Sequence, residues 1–431
     1  MKEKFQLTSL EKGWILYDVG NSAFILMVST LIPIFFNALA ESAGVHEDLY
    51  LSYWGYAGSI ATILVAVIGP VCGAIADRNN KRLIFLISLL VGAVACALLG
   101  AMNGWIAFLA MFILARVGYS ASIVFYDSML PEITSDKRMD KVSSLGYAFG
   151  YIGSVVPFIV CLVLVLMHGS FGLTQGTAMA IAFILISLWW LGWWLGCSLP
   201  LLRGYTQTAF QAPTAAPVRD AFRQLYGTLK AAKEEKHIFL YLLSFFFFID
   251  GVYTIIDMAT AYGAALGLDT TGLLLALLWT QFVAFPCSIL FGRLSAKYDT
   301  GLLIKVSIAA YTGITVFGIF LVSQWQFWVL ATLVGMFQGG IQALSRSYLG
   351  KIIPAQRSGE FYGLMDIFGK GASFVGMTLV SLVSQCTAGI TVDVFGLTLQ
   401  NENLAVGSLI ILFLIGYILF CKADRLNKER S

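Results

Sequence analysis

Apolar residues in this chain gather into long blocks rather than alternating at short period. A helix needs about 20 mostly apolar residues to cross the hydrocarbon of a bilayer. Runs of that kind begin near Gly13, Tyr50, Leu83, Trp105, Val142 and Thr177, and again near His237, Thr271, Leu302, Gln326, Gly359 and Leu404. One long polar stretch, Leu201 to Lys236, separates the two sets. It contains Gln211-Ala-Pro-Thr-Ala-Ala-Pro217, followed by a basic amphipathic piece from Arg219 to Lys236. The pattern predicts an all-α membrane protein of twelve transmembrane helices in two six-helix bundles. Residues 1–200 form the first bundle, 201–236 a cytoplasmic linker and 237–431 the second bundle.

Composition narrows the function classes. The chain has 431 residues, 58% hydrophobic and 12% charged, against about 25% charged in soluble globular proteins. Too few charges are present to cover a soluble surface, and the hydrophobicity is too high for a disordered chain. A net charge of +3 gives no electrostatic case for nucleic acid. Seven cysteines (72, 96, 161, 197, 287, 386 and 421) show no CxxC spacing and read as small buried hydrophobes. His46, His168 and His237 are scattered, so no metal centre is expected. HExxH, GxSxG and P-loop patterns are absent, which argues against a membrane enzyme and an ATP-driven pump and implies no cofactor. The apolar run after Met1–Lys12 is too long and too studded with polar residues for a signal peptide, and reads as a first span.

Basic residues orient the spans, because cytoplasmic loops carry the excess of Lys and Arg. Lys2, Lys4 and Lys12 precede span 1; Arg78, Lys81 and Arg82 follow span 2; Lys137, Arg138 and Lys141 follow span 4. The linker, the 8–9 loop (Arg293, Lys297, Lys305), the 10–11 region (Arg346, Lys351, Arg357) and the C-terminal tail continue the series. The opposite side carries Glu41, Glu47, Asp48, Asp269, Asp393 and Glu402 and no basic residue. Both termini are therefore expected in the cytoplasm. Of the 27 Lys and Arg residues, all but Arg116 in span 4 and Lys370 in span 11 fall on the cytoplasmic side.

The two halves resemble each other weakly. Gly73-Ala-Ile-Ala-Asp77-Arg78, running on to Lys81-Arg82, is matched 219 positions later by Gly292-Arg-Leu-Ser-Ala-Lys297-Tyr-Asp299. The first loop is similar to the G-x-x-x-D-R-x-G-R-K signature of the major facilitator superfamily, with Asn80 where a glycine is expected. Arg116-Val-Gly-Tyr-Ser resembles the same superfamily's arginine-centred span-4 motif. More narrowly, Trp14-Ile-Leu-Tyr17-Asp18-Val-Gly-Asn21-Ser22-Ala23-Phe24 resembles the opening helix of the fungal autophagy-related vacuole effluxers and their bacterial relatives. Gly339-Gly-Ile-Gln342-Ala-Leu-Ser345-Arg346-Ser347 and Glu360-Phe-Tyr-Gly363-Leu-Met-Asp366-Ile-Phe-Gly369-Lys370 resemble that family's spans 10 and 11. The resemblance implies a transporter; the fungal members are linked to amino-acid export from the vacuole. It also implies alternating access by two rocking halves, a central cavity lined by spans 1, 4, 7 and 10, and a multi-pass protein of the cell (inner) membrane if the chain is bacterial. Asp77 then reads as a conformational latch meeting a helix N-terminus, with Gly73, Arg78 and Arg82 completing its loop.

Polar residues inside the spans are expensive, about 2.5–3.5 kcal/mol for a charge at a helix centre on insertion scales, and helical spacing sorts them. Asp250, Tyr253, Thr254 and Asp257 form one stripe on span 7; Asp366, Lys370 and Ser373 share a face of span 11. Span 1 offers Asp18, Asn21 and Ser22, span 4 Arg116, Tyr119 and Ser120, and span 10 Gln338, Gln342 and Ser345. A cation in a low-dielectric cavity suits a carboxylate. The expected substrate-binding set is therefore Arg116, Tyr119, Asp250, Tyr253, Gln338, Gln342 and Lys370. An acid out of water favours its neutral form, so Asp18, Asp250 and Asp366 are the candidates for coupling transport to protons. Plainer readings stand beside these. Asp366 and Lys370 can simply neutralise each other, Asp18 can be a packing or gating residue, Asp127 can bond the 4–5 loop, and Asp257 can be solvated. Trp189, Trp190, Trp193 and Trp194 read as a lipid-facing or interfacial cluster, and Gly146, Gly150 and Gly153 as close helix packing. The expected partners are a small carboxylate-bearing solute such as an amino acid, the lipid bilayer and protons, with the protein a monomer. A lipid or lysolipid flippase of the same fold is the nearest rival; a transporter-like receptor is a more distant one.

Overall fold

The computed structural model describes residues 5–28, 30–46, parts of 53–68, 81–206, 235–387, 391–394, 397–399 and 401–430. Nearly all of this is helix. The first half contributes α1 Ser9–Val28, α2 Leu31–Ser42, α3 Lys81–Leu98, α4 Trp105–Ile133, α5 Asp136–Leu166 and α6 Gln175–Trp193. The second contributes α7 Lys236–Ala265, α8 Thr270–Leu294, α9 Thr300–Ile319, α10 Gln324–Ile352, α11 Ser358–Cys386, α12 Asn401–Gly407 and α13 Leu409–Lys428. Among the described residues ten helical stretches are long and apolar enough to cross a membrane, α1 with α2 forming one and α12 with α13 another. Two predicted spans are not among the ten. The run from near Tyr50 lies partly outside the described residues, with Tyr56–Val65 as a short apolar helix. The run from near Gly359 is the continuous helix α11, whose apolar part is Val375–Cys386; Glu360, Asp366 and Lys370 dilute its first half.

One element departs from an all-helical reading. Val392–Val394 (β1) pairs antiparallel with Leu397–Leu399 (β2), placing Val392 opposite Leu399 and Val394 opposite Leu397. Three-residue alternations of this kind are too short to stand out beside runs of twenty apolar residues.

Contacts divide the chain into two compact units. The first comprises Met1–Ser135, Phe149–Leu225 and Ala355–Gly363; the second comprises Asp136–Ala148, Tyr226–Pro354 and Leu364–Ser431. Helices α5 and α11 therefore each contribute one end to each unit.

The first unit is centred on aromatic rings. Trp14, Tyr17 and Phe24 of α1, Tyr126 of α4, and Trp190 and Trp194 are all fully or almost fully buried. Trp14 stacks on Tyr126 with ring centroids 4.3 Å apart, and Tyr17 meets Phe85 edge-on at 5.0 Å. For Trp190 and Trp194 this corrects the expectation of a lipid-facing or interfacial cluster; Trp189 and Trp193 are half-buried. Trp190 and Trp194 are one helical turn apart on the inward face, and the Trp190 indole N–H donates to the Tyr17 hydroxyl at 3.2 Å. Trp189 donates to the Val19 carbonyl at 3.0 Å. A ring with a polar N–H and an inward position gains both contact area and a hydrogen bond.

Lipid supplies no hydrophobic force between helices, so close approach of backbones and polar bonds hold them together. Gly92 of α3 and Gly118 of α4 face each other so tightly that a Cβ on Gly118 would meet the Gly92 backbone. A Cβ on Gly153 would lie 2.6 Å from the Val19 side chain, and one on Gly150 would lie 2.7 Å from Ser22 Oγ, as the close-packing reading of span 5 expects at these two positions. The second unit repeats the device: a Cβ on Gly416 of α13 would lie 2.9 Å from the Phe248 backbone nitrogen of α7.

Overpacking a filled core costs about 1–3 kcal/mol, so Gly118→Leu should lower the thermal unfolding midpoint of the purified protein by several degrees. Gly192, around which nothing lies within 4 Å, provides the contrast. Gly192→Ala should leave the midpoint unchanged or raise it, because alanine stabilises a helix interior by about 0.5–1 kcal/mol relative to glycine.

Candidate functional site

In the first unit, polar groups converge between α1 and α4. Asp18 is buried. Its Oδ2 accepts from the Tyr126 hydroxyl at 2.8 Å, and its Oδ1 accepts from Asn21 Nδ2 at 3.2 Å. Gly150 lies against the same stretch of α1, where a Cβ would crowd Ser22 Oγ at 2.7 Å while meeting Asp18 at an ordinary contact distance of 3.5 Å. Trp14 Nε1 donates to the Tyr126 carbonyl at 2.7 Å, and the Tyr17 hydroxyl donates to Ser122 Oγ at 2.9 Å. Asp18, Asn21, Tyr17, Ser122 and Tyr126 thus form a bonded strip along the α1–α4 seam.

One turn or more further along α4, Tyr119 is half-buried against Phe24 and Trp190, with ring centroids 5.3 and 5.7 Å away. Arg116 lies one turn before it and is also half-buried. Among the described residues no acidic side chain pairs with this guanidinium. The strip and Arg116 therefore differ in kind: the first is a satisfied network, the second a cation held partly out of water with no anion beside it among the described residues.

In the second unit, Asp250 is fully buried on α7. Its Oδ1 accepts from the Gly376 backbone N–H of α11 at 2.9 Å and from Thr254 Oγ1 at 3.3 Å. Its Oδ2 has no hydrogen-bond partner among the described residues. Gly376 is what lets the helices meet, because a Cβ there would collide with the Asp250 carboxylate and the Thr254 hydroxyl. Tyr253 is half-buried one position before Thr254, and Asp257 is exposed. On α10, Gln338 is buried and Gln342 half-buried, while Ser345 is buried with its hydroxyl unpartnered among the described residues. Asp366 is half-buried on α11. The side chain of Lys370 lies outside the described residues, as do Gly73, Asp77 and Arg78 of the latch loop; Arg82 is half-buried near the start of α3.

Two basic residues counted as loop charges, Lys81 and Arg346, are instead buried in helices, and Lys351 and Lys305 are half-buried in ion pairs. Lys81, expected in the 2–3 loop, opens α3 and is fully buried. It pairs with Glu132 at 3.1 Å and donates to Ser358 Oγ at 3.0 Å, and Tyr205 donates to the other Glu132 oxygen. Arg346 is buried because α10 runs on to Ile352. Its Nε and Nη2 donate to Ser143 Oγ and the Ser143 carbonyl, both at 3.0 Å, and its guanidinium lies 4.3 Å over the Tyr147 ring. Lys351 pairs with Asp140 at 2.6 Å, and Asp140 also accepts from Thr300 and Ser347 at 2.6 Å each. Asp424 receives Lys305 at 2.6 Å and Lys428 at 3.0 Å. These networks were not anticipated. The available signal was the set of acids Glu132, Asp140 and Asp424 near the same helix ends as the counted lysines, which a tally of positive charges alone passes over.

The pattern of the vacuole effluxer Atg22-like family matches residues 47–430. The chain belongs to that family. A Bacillus subtilis protein described as the uncharacterized MFS-type transporter YxiO is 35% identical over 420 residues, covering 96% of this chain and 94% of its own length. Autophagy-related protein 22 of Kluyveromyces lactis is 22% identical over 439 residues, 88% of each chain. Among solved structures, the major facilitator superfamily transporter FucP in its outward conformation aligns with a TM-score of 0.69 at 12% identity, covering 96% of this chain and 97% of its own. The human organic anion transporter MFSD10 aligns at 0.67 and 13% identity, covering 96% and 100%. This family member thus has the major facilitator fold, and it is a multi-pass membrane transporter whose relatives are transporters and not enzymes.

Removing one partner of a buried ion pair costs about 3–5 kcal/mol, whereas replacing both with apolar residues is often neutral. Glu132→Ala should therefore strongly lower the unfolding midpoint, and the double change Lys81→Met with Glu132→Leu should recover most of the loss. Equal damage from the single and double variants would contradict the pairing.

Proposed function

We propose that this transporter moves a small carboxylate-bearing solute, of the amino-acid class, by alternating access between a bundle of residues 1–200 and a bundle of residues 237–431, joined by the linker 201–236. Twelve spans, both termini in the cytoplasm and a monomeric protein in the cell membrane complete the reading. The carrying observation is Arg116, a half-buried guanidinium with no acidic partner among the described residues. A guanidinium in a low-dielectric setting binds a planar carboxylate through paired N–H donors, each stronger than its counterpart in water. Tyr119 beside it supplies an aromatic wall, with Tyr253, Gln338, Gln342 and Lys370 as further polar contacts for the solute. The family's fungal link to amino-acid export agrees with that choice of substrate.

Asp250 is the proposed proton carrier. Its carboxyl is out of water, and Oδ2 has no donor among the described residues, so a proton on that oxygen removes an uncompensated charge. Asp18, with both oxygens engaged, and Asp366 are the subordinate candidates. The loop from Gly73 through Asp77 and Arg78 to Arg82 is assigned the latch between conformations.

Transport in proteoliposomes tests the scheme. Arg116→Gln should weaken the binding of an amino-acid substrate at least tenfold, about the loss of one charge-assisted hydrogen bond, while leaving the protein folded. Asp250→Asn should keep solute exchange but lose accumulation driven by a proton gradient. Full proton-driven uptake by Asp250→Asn would remove Asp250 from the coupling role. Transport of a fluorescent phospholipid in place of amino acids would favour the flippase reading.

A further inference from the structure

The second unit contains a cavity that the transport reading does not use. It has a volume of about 340 Å³ and lies among α7, α9, α10, α11 and α12, towards the ends of α7 and α9 remote from the Asp140–Lys351 pair. Its walls are mostly aliphatic and include Met258, Ile314 and Val406. A largely apolar concavity with a few fixed polar groups is how small-ligand sites are commonly built.

The polar groups on its wall are not equivalent. Tyr262 is fully engaged: its hydroxyl donates to the Gly318 carbonyl at 2.7 Å and accepts from Asn403 Nδ2 at 2.8 Å. Thr254 is engaged too, donating to Asp250. Glu402 differs. Its Oε2 is buried and has no hydrogen-bond partner among the described residues. An unmatched carboxylate oxygen beside an apolar space is costly unless a donor arrives, and a charged donor matches it best. An anionic ligand would repel it, and a purely apolar one would leave it unmatched.

We infer that this cavity is a binding site for a small apolar amine: a hydrocarbon body packed against Met258, Ile314 and Val406, with its ammonium group donating to the Glu402 carboxylate. The site is separate from the Arg116 side of the first unit and calls for the opposite ligand charge.

Three probes with one ring and different head groups test this: cyclohexylmethylamine, cyclohexylmethanol and cyclohexanecarboxylate. Binding is read on the full chain in lipid nanodiscs by microcalorimetry and by thermal shift, since a ligand of the folded state raises the unfolding midpoint by mass action. The amine should bind at least tenfold more tightly than the alcohol, and the carboxylate should not bind at this site. Glu402→Gln should bring the amine down to the affinity of the alcohol without changing the alcohol. Val406→Phe, which fills the space, should weaken amine and alcohol alike. Arg116→Gln should leave amine binding unchanged, which separates failure of this site from failure of the transport site. Amine and alcohol affinities within twofold of each other, an amine affinity insensitive to Glu402→Gln, or no binding by any probe would overturn the inference.

Discussion

A charge within a helix that crosses hydrocarbon must find an opposite charge or a dense set of hydrogen bonds, and this protein is arranged around meeting that demand. Lys81 and Glu132 are both out of water and are tied to each other; Asp140, Lys351, Thr300 and Ser347 form a second closed group. Each group joins helix ends that are far apart in sequence. The polar bonds fix which helices meet, and the glycine crossings at Gly92–Gly118 and Gly416–Phe248 let the backbones come close enough for van der Waals packing to follow. In this environment packing and polar satisfaction replace the hydrophobic driving force that organises a soluble core.

Against that background, incompletely satisfied groups stand out. Arg116 has no acidic partner among the described residues, whereas Asp18 on the α1–α4 seam has a donor on each oxygen. Asp250 has one oxygen held by Gly376 and Thr254 and one without a donor. A residue whose bonding is complete contributes to architecture. One whose bonding is open can still take up a further hydrogen-bond partner.

Much of this was legible in the sequence, for a physical reason. Spanning helices are specified by length and apolarity alone, so the runs from Trp105, Val142, Thr177 and Thr271 coincide with long helices within a few residues. The i, i+3, i+4 stripe of Asp250, Tyr253 and Thr254 correctly brought Asp250 and Thr254 together, because they are successive turns of one helix. Inter-helix pairing was not legible. Nothing in the local sequence says that Lys81 meets Glu132 or that Gly376 donates to Asp250, since those depend on which faces are turned towards each other. The tryptophans of α6 show the same limit. Their composition suits an interface belt, and only the inward direction of Trp190 and Trp194 makes them core.

The bond from Lys81 to Ser358 spans 277 positions. As a ribosome delivers this chain from its N-terminal end, Glu132 reaches Lys81 early, while Ser358 follows only after most of the remaining helices have been made. The unit begun first is thus among the last to be finished. A fragment ending in the polar stretch after α6 would bring Glu132 to Lys81 but never Ser358.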